Sequence, residues 1–260
     1  MTVASQSPDW SAGQYARFAD HRLQPAIDLI NRIPDGAYTG IVDLGCGNGK
    51  VTPLLKERWP AATVTGIDSS GDMLAAARDT GADVAWRMGD IASWRPGGED
   101  LVFSNAAFHW LDDHEALIGR LLGGLPTSGV LAFQMPDNFD QPSHAIMRDV
   151  ATDPAWQGRL QGVASRQFVA PAADYVHWLE KGAERVEVWQ TTYHQVLEGA
   201  NPVFEWLKGA GMRPYLARLD IAEAETFQAR CRERLADAYP GRSDGTTLFP
   251  FRRLFAVALR

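Results

Sequence analysis

The run Ile41-Val42-Asp43-Leu44-Gly45-Cys46-Gly47-Asn48-Gly49-Lys50 constrains the fold of this chain more than any other segment. Aliphatic and β-branched residues ending in an acid read as a buried strand. The alternate glycines that follow read as a turn whose backbone passes close to a ligand, where a Cβ would collide, and the turn and helix N-terminus beyond offer amide donors. The spacing is G-x-G-x-G. A dinucleotide fingerprint needs G-x-G-x-x-G, and Lys50 stands where its third glycine would be. A phosphate-cradling P-loop is excluded as well, because it needs a longer gap before Gly-Lys-Ser/Thr and here Gly49-Lys50 is followed by Val51.

Two further acids follow at strand ends. Ala62-Thr63-Val64-Thr65-Gly66-Ile67 leads into Asp68-Ser69-Ser70, which sets a carboxylate beside the glycine turn at the carboxyl edge of an open α/β sheet, where ligands bind and where an acid takes both hydroxyls of a ribose. Met88-Gly89-Asp90-Ile91 then supplies an acceptor and an aliphatic face suited to an adenine ring. The ordered trio resembles the class I S-adenosylmethionine-dependent methyltransferases. The competing reading is an ordinary Rossmann-like domain with acids at its strand ends by chance. The resemblance implies an α/β, Rossmann-like fold with a mostly parallel seven-stranded sheet and helices on both faces. It also implies S-adenosyl-L-methionine as cofactor, leaving as S-adenosyl-L-homocysteine, with Asp43, Gly45, Cys46, Gly47, Gly49, Asp68, Ser69, Met73, Asp90, Ile91 and Asn105 as its binding residues.

Composition narrows the partners. Lys and Arg number 25 against 32 Asp and Glu, which argues against a nucleic-acid substrate, since that requires a basic face. A small anionic substrate stays open because a pocket needs only a few arginines. Cys46 and Cys231 are too few for a disulfide framework or a cysteine zinc site and fit a reducing, cytoplasmic setting. Cys46 is expected to be a small residue tolerated beside the ligand, with no base near it in sequence to make it a nucleophile. Residues 1–8 have no basic segment followed by an apolar core, and no apolar run is long enough to span a membrane. No obligate protein partner is evident.

Periodicity predicts a helix over 9–33, then strands at 40–44, 63–67, 84–87, 100–104 and 129–135 alternating with helices at 50–58, 70–78 and 113–122, which is βαβ winding. After Met135-Pro136 the alternation stops. Residues 139–182 and 201–238 read as helical, with late strands at 184–193 and 251–259 completing the sheet. The expectation is one domain over 1–260, with a cofactor-binding core at 36–137 and a helical substrate cover contributed by 139–182 and 199–245.

The outer segments narrow the resemblance. Asp9-Trp10 with Tyr15, Phe18, Arg22 and Pro25 precedes the cofactor motifs, and Arg58-Trp59-Pro60-Ala61-Ala62 precedes the second strand. Later come Asn105 and Trp110, Gln134-Met135-Pro136-Asp137-Asn138, Thr191-Thr192-Tyr193, Gly211-Met212-Arg213-Pro214 and Arg253-Leu254-Phe255. Over nearly its full length the chain resembles the trans-aconitate 2-methyltransferase family. That resemblance implies methyl transfer to a carboxylate of trans-aconitate, giving a monomethyl ester. A carboxylate is already ionised near neutral pH, so no catalytic base is required and Asn105 and Trp110 are expected to position the reactants. Guanidinium forks suit a tricarboxylate, which makes Arg213 and Arg253 candidates, with Arg17, Arg22, Arg148 and Arg252 behind them and Tyr15 and Tyr193 as hydroxyl donors. Arg252 and Arg253 are adjacent in a strand, so their side chains should face opposite ways. His109 invites a general-base role that carboxylate alkylation does not need, and His114, His144, His177 and His194 lack metal-ligand spacing, so no metal is expected. The alternatives are a methyltransferase for another small or carrier-bound acid, and a silent module that binds cofactor and a protein.

Overall fold

The computed structural model describes residues 23–164, 169–209 and 211–260. The helix expected at 9–33 lies partly outside them. Its described part is α1 (Gln24–Arg32), with Pro25 in the first turn and Ala26, Ile27, Leu29 and Ile30 buried. The expected alternation follows as β1 (Gly40–Leu44), α2 (Thr52–Arg58), β2 (Thr63–Asp68), α3 (Gly71–Arg78), β3 (Ala85–Met88), β4 (Leu101–Asn105), α4 (His114–Gly124) and β5 (Val130–Pro136). Then come α5 (Pro142–Val150), α6 (Gln157–Ala164), α7 (Ala172–Glu180), β6 (Arg185–Leu197), α8 (Pro202–Lys208), α9 (Arg213–Leu216), α10 (Ile221–Ala238) and β7 (Thr247–Leu259).

The strands form one seven-stranded sheet in the order β3-β2-β1-β4-β5-β7-β6. Strands β1 to β5 run parallel, while β7 is antiparallel to both of its neighbours. The expected α/β sheet with helices on both faces is therefore present. Central strands of such a sheet are covered on both sides, which is why β1, β4 and β5 read as near-continuous apolar runs. On one face α1 and α2 pack against Ile41, Leu101, Phe103, Val130, Ala132, Phe255 and Val257. On the other, α4 and α7 bring Leu117, Ile118, Leu121, Tyr175 and Leu179 onto Val42, Leu44, Val102, Leu131 and Phe133. Within the helical interval 139–182, α7 thus lies on the sheet while α5 and α6 lie elsewhere. The strand order reverses between β1 and β4, and the crevice at their carboxyl ends is where open α/β sheets bind ligands.

The two late strands are longer than expected. Strand β7 pairs with β5 only as far as Arg253 opposite Pro136, yet with β6 it continues to Thr247 opposite Leu197. The overhang explains how Pro250, which has no N–H, is accommodated: it lies beyond the β5 pairing, where one side of the strand needs no donor. Phe249 and Phe251 on the overhang enter a third apolar cluster with Ile146, Met147, Leu160, Phe204, Leu207, Phe227 and Cys231 from α5, α6, α8 and α10. This helical layer rises from the antiparallel pair at the same edge of the sheet as the crevice. Helix α10 is started by a reciprocal capping box between Asp220 and Glu223.

Candidate functional site

The glycine turn leaves β1 with Gly45, Gly47 and Gly49 all at positive φ. At Gly45 a Cβ would come within 2.3 Å of the Ala107 Cβ, so the loop after β4 closes tightly on the turn. Gly47 is different: nothing lies within 4 Å of its would-be Cβ, so only its positive φ restricts a side chain there. Asp68, at the end of β2, accepts the Gly47 N–H at Oδ2 (2.9 Å) and the Ser70 N–H at Oδ1 (2.9 Å). Each oxygen keeps a second lone pair for a ligand hydroxyl. Ser70 caps α3 by accepting the Met73 N–H, which fixes the first turn carrying Met73, while Ser69 beside it is exposed. Past β3, Asp90 accepts the Ala92 N–H at 2.9 Å, and the Ile91 side chain reaches to 3.2 Å from the Gly45 Cβ position. Of the sequence-derived cofactor residues, Asp43, Gly45, Cys46 and Asn105 line one crevice, walled also by Leu23, Asn48, Lys50 and Val51, while Asp68 is tied to its glycine turn through the Gly47 N–H and Ile91 packs at Gly45; Ser69, Met73 and Asp90 are not in its lining.

Asp43 is buried under the turn, and its Oδ2 accepts the Thr52 hydroxyl at 2.6 Å. Its Oδ1 has no hydrogen-bond partner among the described residues. Burial raises its pKa to about 7, the Thr52 hydrogen bond opposing this and the Asp68 charge adding to it. The Cys46 thiol is pushed up as well, by burial and then by Asp43 and Asp68, so it stays protonated and unreactive.

A polar row crosses the sheet at its carboxyl edge. Asp43 pairs with Phe103, Asn105 with Gln134, and Gln134 with Phe255, so Asp43, Asn105, Gln134 and Arg253 share the face that α1 covers. Gln134 Nε2 donates to Asn105 Oδ1, and Arg253 Nη1 donates to Gln134 Oε1 at 3.1 Å. Arg253 is buried, with its guanidinium carbon 5.1 Å from the Phe251 ring centroid. Arg252 faces the other way, onto Asp137 (3.0 Å) and Asp140 (2.5 Å), as strand alternation requires. Tyr193, on β6, donates its hydroxyl to Asp28 Oδ2 of α1 at 2.5 Å, and burial followed by this carboxylate raises its pKa.

Between the sheet edge and the helical layer lies a cavity. The sheet side gives His109, Trp110 and Pro136, while Phe139, Met147, Trp206, Leu207, Tyr215 and Phe251 make most of the rest apolar. His109 and Trp110 sit on a 3-10 turn after β4 with ring centroids 4.6 Å apart. Buried His114 anchors that turn: its Nε2–H donates to the Phe108 carbonyl (2.8 Å), and Nδ1 accepts the Tyr175 hydroxyl (2.6 Å). Arg148 lines the cavity with its guanidinium carbon 3.8 Å from the Phe139 ring centroid and a hydrogen bond to the Phe139 carbonyl. His144, also in the lining, has its pKa lowered to about 4 by burial and by Arg148, which keeps it neutral. Arg213 is exposed at the start of α9, while the neighbouring Pro214 and Tyr215 reach the cavity. Tyr15, Arg17 and Arg22 lie outside the described residues.

A methyltransferase-domain family profile matches residues 41–129, the span that contains the crevice. Curated trans-aconitate 2-methyltransferases match far more of the chain. The one from Azoarcus sp. strain BH72 is 46% identical, with 97% of this chain and all of the relative covered. The chain belongs to the trans-aconitate 2-methyltransferase family. A member from Rhizobium meliloti is 43% identical over 96% of this chain and 98% of its own length. Solved structures extend the likeness at the level of fold. The YcgJ protein of Bacillus subtilis superposes with a TM-score of 0.59 at 13% identity, covering 90% of this chain and 97% of that one. Haemonchus contortus phosphoethanolamine N-methyltransferase 2, solved with phosphomonomethylethanolamine and S-adenosylhomocysteine, gives 0.53 at 16% identity over 90% of this chain, which spans 52% of that chain.

Within this family setting, Gln134 and His114 are residues whose position at the site sequence reasoning did not assign. Gln134 lay inside a family-matching segment and carried no role. His114 was weighed only as a metal ligand; its spacing from Phe108 within one loop-helix junction was the signal available. Among the described residues no group of three or more His, Cys, Asp and Glu side chains is placed to hold a metal.

Proposed function

We propose that the protein transfers the methyl group of S-adenosylmethionine to a carboxylate of trans-aconitate, giving the monomethyl ester and S-adenosylhomocysteine. The observation that carries this reading is the shared edge: in a member of this family, the glycine crevice lies at the carboxyl ends of β1 and β4, and the cavity behind His109 and Trp110 lies at the carboxyl ends of β4 and β5. The crevice suits the cofactor on its own geometry. Gly45 and Gly47 keep the turn free of side chains, Asp68 holds that turn with a lone pair left on each oxygen, Ile91 packs an aliphatic side chain at Gly45, and buried Asp43 Oδ1 lacks a donor among the described residues.

When bound, the cofactor supplies an electrophilic sulfonium methyl. A carboxylate oxygen forms the new C–O bond with its own lone pair, the S–C bond breaks toward sulfur, and no proton moves. The chain therefore has to hold an anion in line and keep water out. Asp68, with Asp90 and Ile91, would orient the nucleoside. Asn105 and Trp110 would position the reacting groups, and Arg253 and Arg148 are the described candidates for the substrate's charges; the Tyr193 hydroxyl, expected from sequence to donate there, gives its one proton to Asp28 instead. Tyr15, Arg17 and Arg213 stay in the proposal on the family match alone. The helices of 139–182 other than α7, with those of 199–245, would act as the cover. Two buried, free cysteines accord with a cytoplasmic setting.

One observation favours a second reading. The cavity lining is largely apolar, which suits an acid with a hydrocarbon body, small or presented by a carrier. Methyl transfer from labelled cofactor against aconitate isomers, citrate, isocitrate and carrier-bound acids separates the two. Ester formation with trans-aconitate at the highest kcat/KM supports the first reading, and preference for another acid replaces it with the second.

A further inference from the structure

The geometry points to Gln134 as a positioning residue that sets which end of the Asn105 amide faces the reacting groups. The direction of every hydrogen bond in the row is fixed by Arg253, because a guanidinium only donates. Arg253 Nη1 lies 3.1 Å from Gln134 Oε1, so that atom is the oxygen. The Gln134 amide nitrogen must then point along the sheet toward β4, where it donates to Asn105 Oδ1. Both amides are assigned by this chain of donors, and neither can flip without breaking it. The remaining polar atom of Asn105 is Nδ2, a donor, on a residue that walls the crevice beside Asp43 and Gly45. An amide N–H there attracts a carboxylate that an amide oxygen would repel.

Burial makes the arrangement stiff. Gln134 is 1% exposed on a central strand, and Arg253 is 8% exposed. Leaving either without its partner strands a buried polar group, so the row holds one orientation instead of averaging over two. The residues come from β4, β5 and β7, which places the late antiparallel strand in control of a side chain at the cofactor crevice. The acceptor in question is the anionic carboxylate of the proposed reaction, and the inference rests on that reading for its effect on rate.

The decisive variant is Gln134→Glu. It keeps the shape of the side chain and a strong acceptor for Arg253, but it has no N–H to give Asn105, so Asn105 must donate Nδ2 inward and turn Oδ1 to the crevice. The expected result is a fall in kcat/KM for the acceptor acid of about 10- to 100-fold, the size expected when a reacting group is misplaced, that persists at saturating S-adenosylmethionine, with Tm little changed. In an Asn105→Ala background the same substitution should have almost no further effect on rate, a non-additivity that a merely structural role for Gln134 does not produce. Unchanged kcat/KM in folded Gln134→Glu, or additive losses in the double variant, overturns the inference. Failure of the wild type to methylate trans-aconitate instead rejects the functional reading. The inference then stands or falls on the ligand-free protein, whose Gln134 side-chain NH2 should be protected from hydrogen exchange and lose that protection in Asn105→Ala; rapid exchange in the wild type overturns it.

Discussion

Asp68 accepts the Gly47 N–H at 2.9 Å, so the acid that ends β2 holds the middle of the glycine turn. Removing it therefore disturbs the cradle and takes away an acceptor for a ribose. Asp68→Ala is expected to weaken S-adenosylmethionine binding by about 1 to 3 kcal/mol. Gly47→Val puts a β-branched residue at φ +55° in the middle of the glycine turn and should abolish binding in a folded protein. Calorimetry reads both; wild-type affinity in either folded variant contradicts the site.

The Asp43 carboxyl gives the protein a specific pH dependence. Its folded pKa is raised to about 7 by burial from the ordinary 3.8, so between these the folded ligand-free state holds a proton that the unfolded chain has released. Stability from this group is full below about pH 4 and is lost as pH rises through about 7. Asp43→Asn should flatten the dependence and raise ligand-free Tm at pH 8 relative to wild type. Because Oδ1 has no hydrogen-bond partner among the described residues, a cofactor that donates to it should bind more tightly as pH rises through the same range, and Asp43→Asn should remove that slope in calorimetry with S-adenosylhomocysteine.

Arg253 and Arg213 entered as equal candidates from sequence and occupy unequal positions. Arg253 is buried at the polar row and Arg213 is exposed. Steady-state kinetics should show Arg253→Ala losing about 2 to 5 kcal/mol of transition-state stabilisation with the acceptor acid, and Arg213→Ala much less. Equal losses in the two variants would show that the exposed arginine swings onto the substrate.

His109 lines the cavity, yet the nucleophile is an anion before it binds. Single-turnover methyl transfer at saturating cofactor and substrate should be independent of pH across the ordinary histidine range near 6.5, and His109→Ala should keep the chemical step. A base of histidine-like pKa that vanishes in the variant and returns with added imidazole would contradict this.

The parallel half of the sheet was legible because its signals are local: β1 and β2 each carry an apolar run, an acid and a turn, and β4 and β5 carry apolar runs, with helices of ordinary length between. Strands β6 and β7 outrun their apolar pattern because their outer halves cover helices on one face and meet solvent on the other, so the apolar run thins while the pairing goes on. The Asn105, Gln134 and Arg253 row was out of reach for a related reason. It depends on the register of β7 against β5, and β7 returns to the sheet only after the helical layer. Local pattern did predict that Arg252 and Arg253 diverge, since strand alternation is a property of neighbours. It could not say that Arg253 would be the buried one.

The most direct test of the central claim is mass spectrometry of the product formed from trans-aconitate with 18O-labelled carboxylates and S-adenosylmethionine with a deuterated methyl group. Direct attack by a carboxylate oxygen gives a monomethyl ester that carries the whole deuterated methyl and keeps every 18O of the acid, alongside one equivalent of S-adenosylhomocysteine. Cofactor that binds without forming this ester, or an ester that has lost 18O, contradicts methyl transfer to the carboxylate of trans-aconitate.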